Sequence, residues 1–329
     1  MEKELNQESR KQITESHRKI LEKQQYRIIG EHSAVKVCNW TKNKIAGKGS
    51  CYKEKFYGIK SHQCLQMTCS MFCANRCKFC WRSLKSPVAE KWYGKTDEPK
   101  FIVDESIKQH IQLLQGFKGF EKADKIFLKE MENVKHVALS LTGEPITYPK
   151  INELINEFHR RKISTFLVTN AQYPEQIKQI NPTQLYLSLD APNKELLKKI
   201  DNPVFNDYWE RLIESLKILS DRKYRTCIRL TLIKPQNMLD EEQYAELIKL
   251  GNPWFIEIKA YMHVGDSLKF YEHENMPSTS EIKEFTNKIL KYLSDYEFAD
   301  EHYASRVVLL IRKDVKDKRF IDFDKMFEN

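Results

Sequence analysis

The chain has 329 residues, 41% of them hydrophobic. This composition excludes collagen-like and mucin-like proteins. The chain contains no apolar run near the roughly 18 residues of a membrane span, which excludes a membrane-spanning protein. Lys and Arg number 55 against 46 Asp and Glu, and the resulting net charge of +9 favours an anionic partner such as RNA. Seven of the eight cysteines fall between Cys38 and Cys80, and this clustering is the strongest chemical signal in the sequence.

The N-terminal segment, residues 1–62, is basic and contains no apolar stretch typical of a secretory signal. We therefore expect a cytoplasmic protein without disulfides, in which clustered cysteines indicate metal binding or redox chemistry. Residues 1–27 have helical spacing and many charges, and are predicted to form a basic surface helix. The segment from Cys38 to Lys60 combines six lysines with three glycines. It is predicted to be a loop that a bound metal orders.

From residue 63 onward, short apolar strands alternate with amphipathic helices, which predicts a parallel α/β sheet. The predicted strands are 63–70, 136–141, 164–169, 185–189, 227–233 and 254–259. The predicted helices are 102–116, 151–161, 174–180, 205–222 and 241–250. The six units predict a partial (β/α)6 TIM-like barrel over 63–265, with the cysteine- and lysine-rich extension before it. A C-terminal extension, 266–329, with a helix at 280–293 and a strand at 306–311, is expected to pack on this core.

The first predicted strand is followed by Cys73, Cys77 and Cys80 in C-x3-C-x2-C spacing. Three thiolates on one loop can bind three irons of a 4Fe-4S cluster and leave the fourth iron open. A zinc site is the alternative, with Cys69 as a fourth thiolate, although structural zinc sites usually have paired C-x2-C spacing. The pattern therefore favours a cluster whose open iron can bind a small molecule.

With an aromatic residue before its last cysteine, this loop resembles the signature of the radical S-adenosylmethionine (SAM) superfamily. The resemblance implies that the open iron binds SAM and that the reduced cluster cleaves it to a 5′-deoxyadenosyl radical. The segment Thr142 to Pro145 resembles the superfamily's Gly-Gly-Glu-Pro segment, with Thr142 replacing the first glycine. By the same resemblance, SAM is expected to contact five residues at the strand ends: Gly143, Glu144, Asn170, Ser188 and Asp190.

A second set of cysteines, Cys38, Cys51 and Cys64, precedes the radical SAM motif at two equal intervals of thirteen residues. Their surroundings are rich in Lys and Gly, unlike a hydrophobic core. We predict that they bind a second 4Fe-4S cluster with one open iron. Unpaired structural thiols are the alternative.

Several segments together resemble the tRNA 4-demethylwyosine synthase family of the wybutosine pathway, over most of residues 38–265. They are residues 51–53, 56–58, 77–82, 141–145, 168–172, 188–192 and 255–259. The resemblance implies a carbon-carbon lyase that condenses pyruvate with N1-methylguanosine at position 37 of tRNA(Phe), losing the carboxyl carbon of pyruvate. Only a short arm precedes Cys38, as in the compact archaeal form. We therefore expect an external electron donor, such as a ferredoxin or flavodoxin, and a monomer.

Given this resemblance, Lys53 is the predicted catalytic residue, because a lysine amine condenses with a ketone to form a Schiff base. Lys55 is the rival, and a phosphate-binding lysine is the plainer alternative. The open iron of the second cluster could chelate the pyruvate carboxylate. Basic residues near interleaved aromatic residues favour contacts with tRNA phosphates and an unstacked base. The predicted RNA-binding residues are Arg76, Lys78 and Arg82.

Two other functions fit parts of the sequence. The chain could be another two-cluster radical SAM enzyme that acts on a peptide or an RNA. Peptide-maturing enzymes of this kind usually place their additional cysteines after the barrel, whereas only Cys227 lies beyond Cys80 here. It could also be a non-catalytic zinc-binding RNA module that uses the same thiols and basic residues.

Overall fold

The computed structural model describes residues 11–83 and 85–327, so the first ten residues of the predicted N-terminal arm lie outside the described part. One ten-stranded sheet runs through the chain in the order β1-β2-β3-β4-β5-β6-β7-β8-β10-β9. Its strands are β1 Arg27–Ile29, β2 Ser33–Val35, β3 Cys64–Thr68, β4 His136–Leu139, β5 Ser164–Thr169, β6 Gln184–Ser188, β7 Thr226–Leu232, β8 Phe255–Ala260, β9 Tyr296–His302 and β10 Val307–Arg312. Strands β3 to β8 are parallel, which confirms the predicted (β/α)6 core.

Helices that connect the parallel strands cover the outer face of the sheet, and further helices precede and follow them. They are α1 Glu15–Lys23, α2 Asn39–Ile45, α3 Tyr52–Tyr57, α4 Pro99–Leu114, α5 Lys125–Glu130, α6 Ile151–Arg160, α7 Pro174–Gln179, α8 Lys194–Asp201, α9 Tyr208–Ser220, α10 Glu241–Gly251 and α11 Thr279–Leu290. Helix α6 shows the underlying pattern: Ile151, Leu154, Ile155 and Phe158 are buried at i, i+3, i+4 and i+7. Each crossover helix buries such a stripe against the sheet, and this directs the carboxyl ends of the strands to one side.

The prediction of a loop over Cys38 to Lys60 is wrong, because α2 and α3 lie in this segment. Its lysines suggested a solvated loop, but most of its apolar residues are buried. Phe56 and Tyr57 are fully buried and pack with Phe166, Tyr186 and other residues on the inner face of the sheet. The segment therefore fills the interior of the partial barrel with ordinary hydrophobic packing.

The two extensions lengthen the same sheet at its edges. Strand β2 pairs antiparallel with β3, and β10 pairs antiparallel with both β8 and β9. Helix α11 begins with a capping box, in which Ser278 and Glu281 satisfy each other's backbone N–H groups. No helix in the described part of the chain is long and apolar enough to cross a membrane.

Candidate active site

One cavity of about 450 Å³ lies at the carboxyl ends of the parallel strands and extends into the barrel interior. It is lined by both sets of cysteines, by Lys53 and by polar residues at the ends of five strands. In a (β/α) barrel the strand ends converge on one face, which is where functional residues collect. All the predicted catalytic, cluster and SAM-binding residues line this cavity: Cys38, Cys51, Lys53, Cys64, Cys73, Cys77, Cys80, Gly143, Glu144, Asn170, Ser188 and Asp190.

The loop that carries Cys73, Cys77 and Cys80 is held in place mainly by backbone hydrogen bonds. The N–H of Arg76 donates to the carbonyl of Asp201 at 3.0 Å, and the N–H of Lys78 donates to the carbonyl of Ile200 at 2.9 Å. Both acceptors lie in the last turn of α8, so this helix fixes the loop. The three thiols therefore face the cavity from a rigid backbone.

The surroundings of these three thiols favour binding to a positively charged partner such as iron. Burial raises the pKa of the Cys73 thiol to about 11, although the nearby Arg82 guanidinium opposes the shift. Burial also raises the pKa of Cys77 well above its usual range, with Asp201 and the other two thiols adding to the effect. Thiols that resist ionisation when free become thiolates when a metal neutralises them.

Arg82 lies elsewhere than the sequence analysis predicted. It is only 9% exposed, and its guanidinium donates to the carbonyl of Asn75 and lies beside Cys73 and Cys80. A side chain that is turned toward the thiols in this way has little surface to offer to RNA phosphates. Its charge instead stabilises the thiolates of the loop. The two other predicted RNA-binding residues are accessible, since Arg76 is exposed and Lys78 is half-buried.

The turn after β4 brings Gly143 and Glu144 against the cysteine loop. Gly143 has a φ of +66°, and a Cβ added there would lie 2.0 Å from the carbonyl oxygen of Ser70, so only glycine fits. The N–H of Glu144 donates to the carbonyl of Phe72 at 2.7 Å. This close approach places the Glu144 carboxyl in the cavity wall.

Glu144 has one carboxyl oxygen that is satisfied and one that is not. Its Oε2 accepts from the N–H of Asn170 at 2.9 Å, whereas Oε1 is buried and has no partner among the described residues. Burial raises the pKa of Glu144 to about 7. An unpartnered buried carboxyl oxygen fits a cationic group, and the SAM amino group predicted to lie here is one. Asn170 also donates from Nδ2 to the Cys73 sulfur at 3.4 Å.

Ser188 and Asp190 end the next strand, and Asp190 faces a second buried carboxyl. Burial raises the pKa of Asp190 to about 6. Burial raises the pKa of Asp201 well above its usual range, and Asp190 adds to this shift. Asp201 was not predicted from the sequence, because the helix that carries it, α8, was not predicted either.

Cys38, Cys51 and Cys64 come from three different elements. Cys38 precedes α2, Cys51 precedes α3, and Cys64 opens β3. Burial and the neighbouring Cys38 raise the pKa of the Cys64 thiol to about 12, and the same two causes raise that of Cys51. Cys51 and Cys64 therefore both lie within electrostatic reach of Cys38.

Lys53 lies at the start of α3, beside this second set. It is only 8% exposed, and its amine lies 4.7 Å from the ring centroid of Tyr186 and 5.3 Å from that of Phe166. Lys53 has no ion-pair partner among the described residues. The carboxylate next to it in sequence, Glu54, pairs with Lys44. Lys55, the rival, is exposed and pairs with Asp300 at 2.9 Å, so it does not line the cavity.

The remaining cysteines stand apart from both sets. All eight cysteines are free thiols. Cys69 is buried and donates to the carbonyl of Pro145, and it does not line the cavity. Among the described residues, no three His, Cys, Asp or Glu side chains converge closely enough to hold a single metal ion.

Two cavity residues that the sequence analysis did not single out are Arg229 on β7 and Lys259 on β8. A signal for them was present. Strands that are buried on both faces are usually continuous apolar runs, but these two alternate apolar residues with charged or polar ones. Burial lowers the pKa of Lys259 to about 8, with Arg229 adding to the shift.

Comparison with known families gives the same class of protein as this geometry. The pattern described as the radical SAM superfamily matches residues 67–248, and the pattern described as wyosine base formation matches residues 250–312. The parallel sheet, the cysteine loop and the glycine-glutamate turn thus belong to a radical SAM protein, a class that uses SAM and a 4Fe-4S cluster.

Relatives define the family more closely. The SAM-dependent tRNA 4-demethylwyosine synthase of Oryza sativa subsp. japonica is 48% identical over 97% of this chain, and the chain covers 50% of that protein. The enzyme of the same name from Pyrococcus abyssi is 44% identical over 90% of this chain, with 88% of that protein covered. The chain therefore spans about half the length of the plant relative and most of the archaeal one. It belongs to the tRNA 4-demethylwyosine synthase family, as the sequence resemblance predicted.

Solved structures agree with this assignment. A structure of TYW1 with a lysine-pyruvate adduct bound has a TM-score of 0.83 and 37% identity, covering 95% of this chain and 99% of that chain. A crystal structure of archaeal TYW1 has a TM-score of 0.77 and 34% identity, covering 94% of this chain and 100% of that chain.

Proposed function

We propose that this chain condenses pyruvate with N1-methylguanosine at position 37 of tRNA(Phe) to form 4-demethylwyosine, as a carbon-carbon lyase. One observation carries the proposal: a single cavity contains both cysteine sets, with the amine of Lys53 between aromatic rings in the same space. A radical generated at one set can then meet a substrate held near the other. The names of the relatives support the substrate assignment.

Cys73, Cys77 and Cys80 would hold the cluster, and Glu144 would receive the amino group of SAM. When bound, the cluster and SAM would supply a 5′-deoxyadenosyl radical, the chemistry needed to remove a hydrogen from the N1-methyl group of the base. Asn170 orders this part of the site, because its backbone N–H fixes the Glu144 carboxylate and its side-chain amide donates to Cys73. The rigid loop keeps the cofactor aligned with the substrate methyl group.

Lys53 would hold pyruvate as a Schiff base. Its neutral amine adds to the ketone carbon, and water leaves as the C=N bond forms. The aromatic rings of Phe166 and Tyr186 exclude water and bring no competing carboxylate to the amine. The lysine-pyruvate adduct in the structure of the relative supports this role.

Cys38, Cys51 and Cys64 would hold a second 4Fe-4S cluster beside Lys53. The electrostatic effect of Cys38 on both Cys51 and Cys64, and the cavity that all three line, support a shared ligand. An electron donor of the ferredoxin or flavodoxin class would reduce the radical SAM cluster. Arg76 and Lys78 would contact tRNA phosphates at the mouth of the cavity, where the target base must leave its stack at a cost of a few kcal/mol.

The test is turnover of the anaerobically reconstituted protein with SAM, pyruvate, a reductant and tRNA(Phe) carrying N1-methylguanosine. We expect 4-demethylwyosine in the nucleoside digest, detected by mass spectrometry, and 5′-deoxyadenosine in the supernatant. Lys53→Arg should lose the tricyclic nucleoside, and the matched control Lys55→Arg should keep it. Formation of 5′-deoxyadenosine without any tricyclic base, at all pyruvate concentrations, would contradict the proposed substrates.

The number of clusters is tested separately by iron and sulfide analysis. We expect about eight irons per chain, falling to about four when Cys73, Cys77 and Cys80 are all replaced by Ala. A fall from about four irons to none would confine iron to the radical SAM loop. Cys38, Cys51 and Cys64 would then be structural thiols.

A further inference from the structure

Two cations inside the barrel have no assigned role in the proposed reaction. Arg229 and Lys259 lie on the adjacent strands β7 and β8, and both line the cavity. In the strand register Arg229 pairs with Glu257, and Thr231 pairs with Lys259. Residues two apart on a strand share a face. Arg229 and Lys259 therefore both lie on the inner face of the sheet, as diagonal neighbours on two adjacent strands.

The Arg229 side chain is half-buried where it lines the cavity, and no described residue accepts a hydrogen bond from its guanidinium. Within residues 11–83 and 85–327 it donates no hydrogen bond and forms no ion pair, although it lies within electrostatic reach of Glu257 and Asp190. Glu257 instead accepts from the hydroxyl of Tyr57 at 2.8 Å. A guanidinium has five donors, and none of them is taken up by a described residue. A cation that faces a cavity with free donors can bind an anionic ligand.

Lys259 also has unused donors. Its amine donates one hydrogen bond, to the carbonyl of Ser305 at 3.1 Å, while an ammonium group has three donors. It forms no ion pair with any described residue. Lys259 and Arg229 therefore offer several free N–H groups to the same space.

The position of this cation pair relative to Lys53 limits the size of the anion. The Lys53 amine lies over the ring of Tyr186, which pairs in register with Cys227, two residues before Arg229. Two residues along a strand span about 7 Å at the backbone. The long side chains of Lys53 and Arg229 can therefore reach adjacent atoms of one small molecule. A ketone carbon bonded directly to a carboxylate meets this requirement.

We propose that Arg229 and Lys259 bind the carboxylate of a small 2-oxo acid, which places its ketone carbon at Lys53. The proposal rests on the function proposed above and assigns the carboxylate to side chains of the barrel. A guanidinium can bind both carboxylate oxygens at once, and the ammonium of Lys259 adds a third hydrogen bond. Binding of the carboxylate at the second cluster's open iron is the rival arrangement.

The test measures binding of radiolabelled pyruvate by equilibrium dialysis, and imine formation by borohydride trapping, in the anaerobically reconstituted protein. Arg229→Gln and Lys259→Gln should each weaken pyruvate binding by about tenfold to a hundredfold, the size expected for losing hydrogen bonds to a charged group. Methyl pyruvate, which keeps the ketone but lacks the charge, should be trapped equally by the wild type and both variants. Arg160→Gln, at an exposed residue of α6, is the matched control and should bind pyruvate normally.

A second comparison distinguishes carboxylate binding by Arg229 and Lys259 from carboxylate binding at the second cluster, and it does not depend on Arg229 variants. A protein with Cys38, Cys51 and Cys64 all replaced by Ala should still prefer pyruvate to methyl pyruvate. Loss of this preference would place the carboxylate on the second cluster and overturn the proposal.

The remaining outcomes are distinct. Unchanged pyruvate binding in Arg229→Gln and Lys259→Gln, with trapping at Lys53 intact, would overturn the anion site and leave the proposed function standing. If Arg229→Gln instead lost SAM binding but kept pyruvate binding, the guanidinium would serve the SAM carboxylate, which also overturns the proposal. Absence of pyruvate binding and trapping in the wild type would overturn the proposed function and the anion site together.

Discussion

The two cysteine sets show two ways in which a chain can build a cluster site. Cys73, Cys77 and Cys80 lie within eight residues on one loop, and backbone hydrogen bonds to α8 fix that loop. Cys38, Cys51 and Cys64 span 27 residues and belong to three elements that meet only through tertiary packing. The first site is therefore specified locally, whereas the second depends on the folding of the whole N-terminal segment.

The packing around the second set shows how that dependence works. The N–H of Cys51 donates to the hydroxyl oxygen of Ser61 at 2.9 Å, and the N–H of Ser61 donates to Glu54 at 2.9 Å. Glu54 also accepts from Lys44 of α2 at 2.6 Å. One carboxylate thus joins α2, α3 and the turn before β3, the elements that carry the three cysteines.

The largest expected effect separates the two sets by function. Cys77→Ala should abolish SAM cleavage, because it removes one of three ligands from the cluster that binds SAM. Cys51→Ala should keep measurable cleavage and lose the tricyclic product. The measurement is 5′-deoxyadenosine and 4-demethylwyosine from the same reactions. Equal and complete loss of cleavage in both variants would remove the proposed division of labour.

Two glycines test whether the local backbone conformation determines the geometry of each cluster site. Gly143 beside the radical SAM loop and Gly47 in the N-terminal segment both have positive φ, +66° and +68°. An added Cβ at Gly143 would meet the Ser70 carbonyl at 2.0 Å, whereas nothing lies within 4 Å at Gly47. Gly143→Ala should lower the SAM cleavage rate by about 100-fold through misplacement of the site. Gly47→Ala should only cost about 1 to 2 kcal/mol of unfolding free energy.

Activity assays and chemical denaturation of both glycine variants check this pair. If Gly143→Ala cleaved SAM at the wild-type rate, the close contact of this turn with the cysteine loop would not matter for the chemistry.

A core substitution tests the dependence of the second set on packing. Phe56 of α3 is fully buried against the inner face of the sheet. Phe56→Ala should lower the free energy of unfolding by about 3 to 5 kcal/mol and reduce the iron content of a protein that lacks the radical SAM cysteines. Phe101→Ala, at a side chain that is 45% exposed, is the control and should change neither quantity. Retention of full iron in Phe56→Ala would show that the second site forms without this packing.

The same contrast explains what the sequence could predict. The spacing of Cys73, Cys77 and Cys80 is local information, and it identified the superfamily. The parallel core was predicted because most of strands β3 to β8 are rich in β-branched or aromatic residues and alternate with amphipathic helices. Helices α2 and α3 were missed because only a few of their side chains are apolar, and these become core only against the sheet.

Arg82 and Arg229 show the limit for charged residues. Arg82 lies in a basic, aromatic stretch of sequence, which suggested an RNA contact, but the fold turns it inward to the thiols. Arg229 lies in a strand that alternates apolar with polar residues, and this alternation does not say which cavity its guanidinium enters. In both cases the charge is visible in the sequence, while its direction is set by tertiary structure.

The smallest expected effect concerns Glu54 and its pH dependence. Burial alone would raise the pKa of Glu54, but hydrogen bonds from Lys44 and Ser61 outweigh it and lower the pKa below the ordinary value of 4.5. A carboxyl whose pKa is lowered on folding stabilises the protein above its ordinary pKa, and this contribution is lost as the pH falls through the folded value. In cluster-free protein, Glu54→Gln should therefore cost about 1 to 2 kcal/mol at neutral pH, and less as the pH falls below 4.5.

Urea denaturation of the wild type and of Glu54→Gln over this pH range provides the measurement. Glu246→Gln removes a carboxylate that is 66% exposed and pairs with Lys249 on one helix, so it should have almost no effect at any pH. A Glu54→Gln cost that did not change with pH would mean that the carboxylate charge is not what joins α2, α3 and the turn before β3. The second set of cysteines would then owe its geometry to apolar packing alone, and Phe56→Ala would be the substitution that controls it.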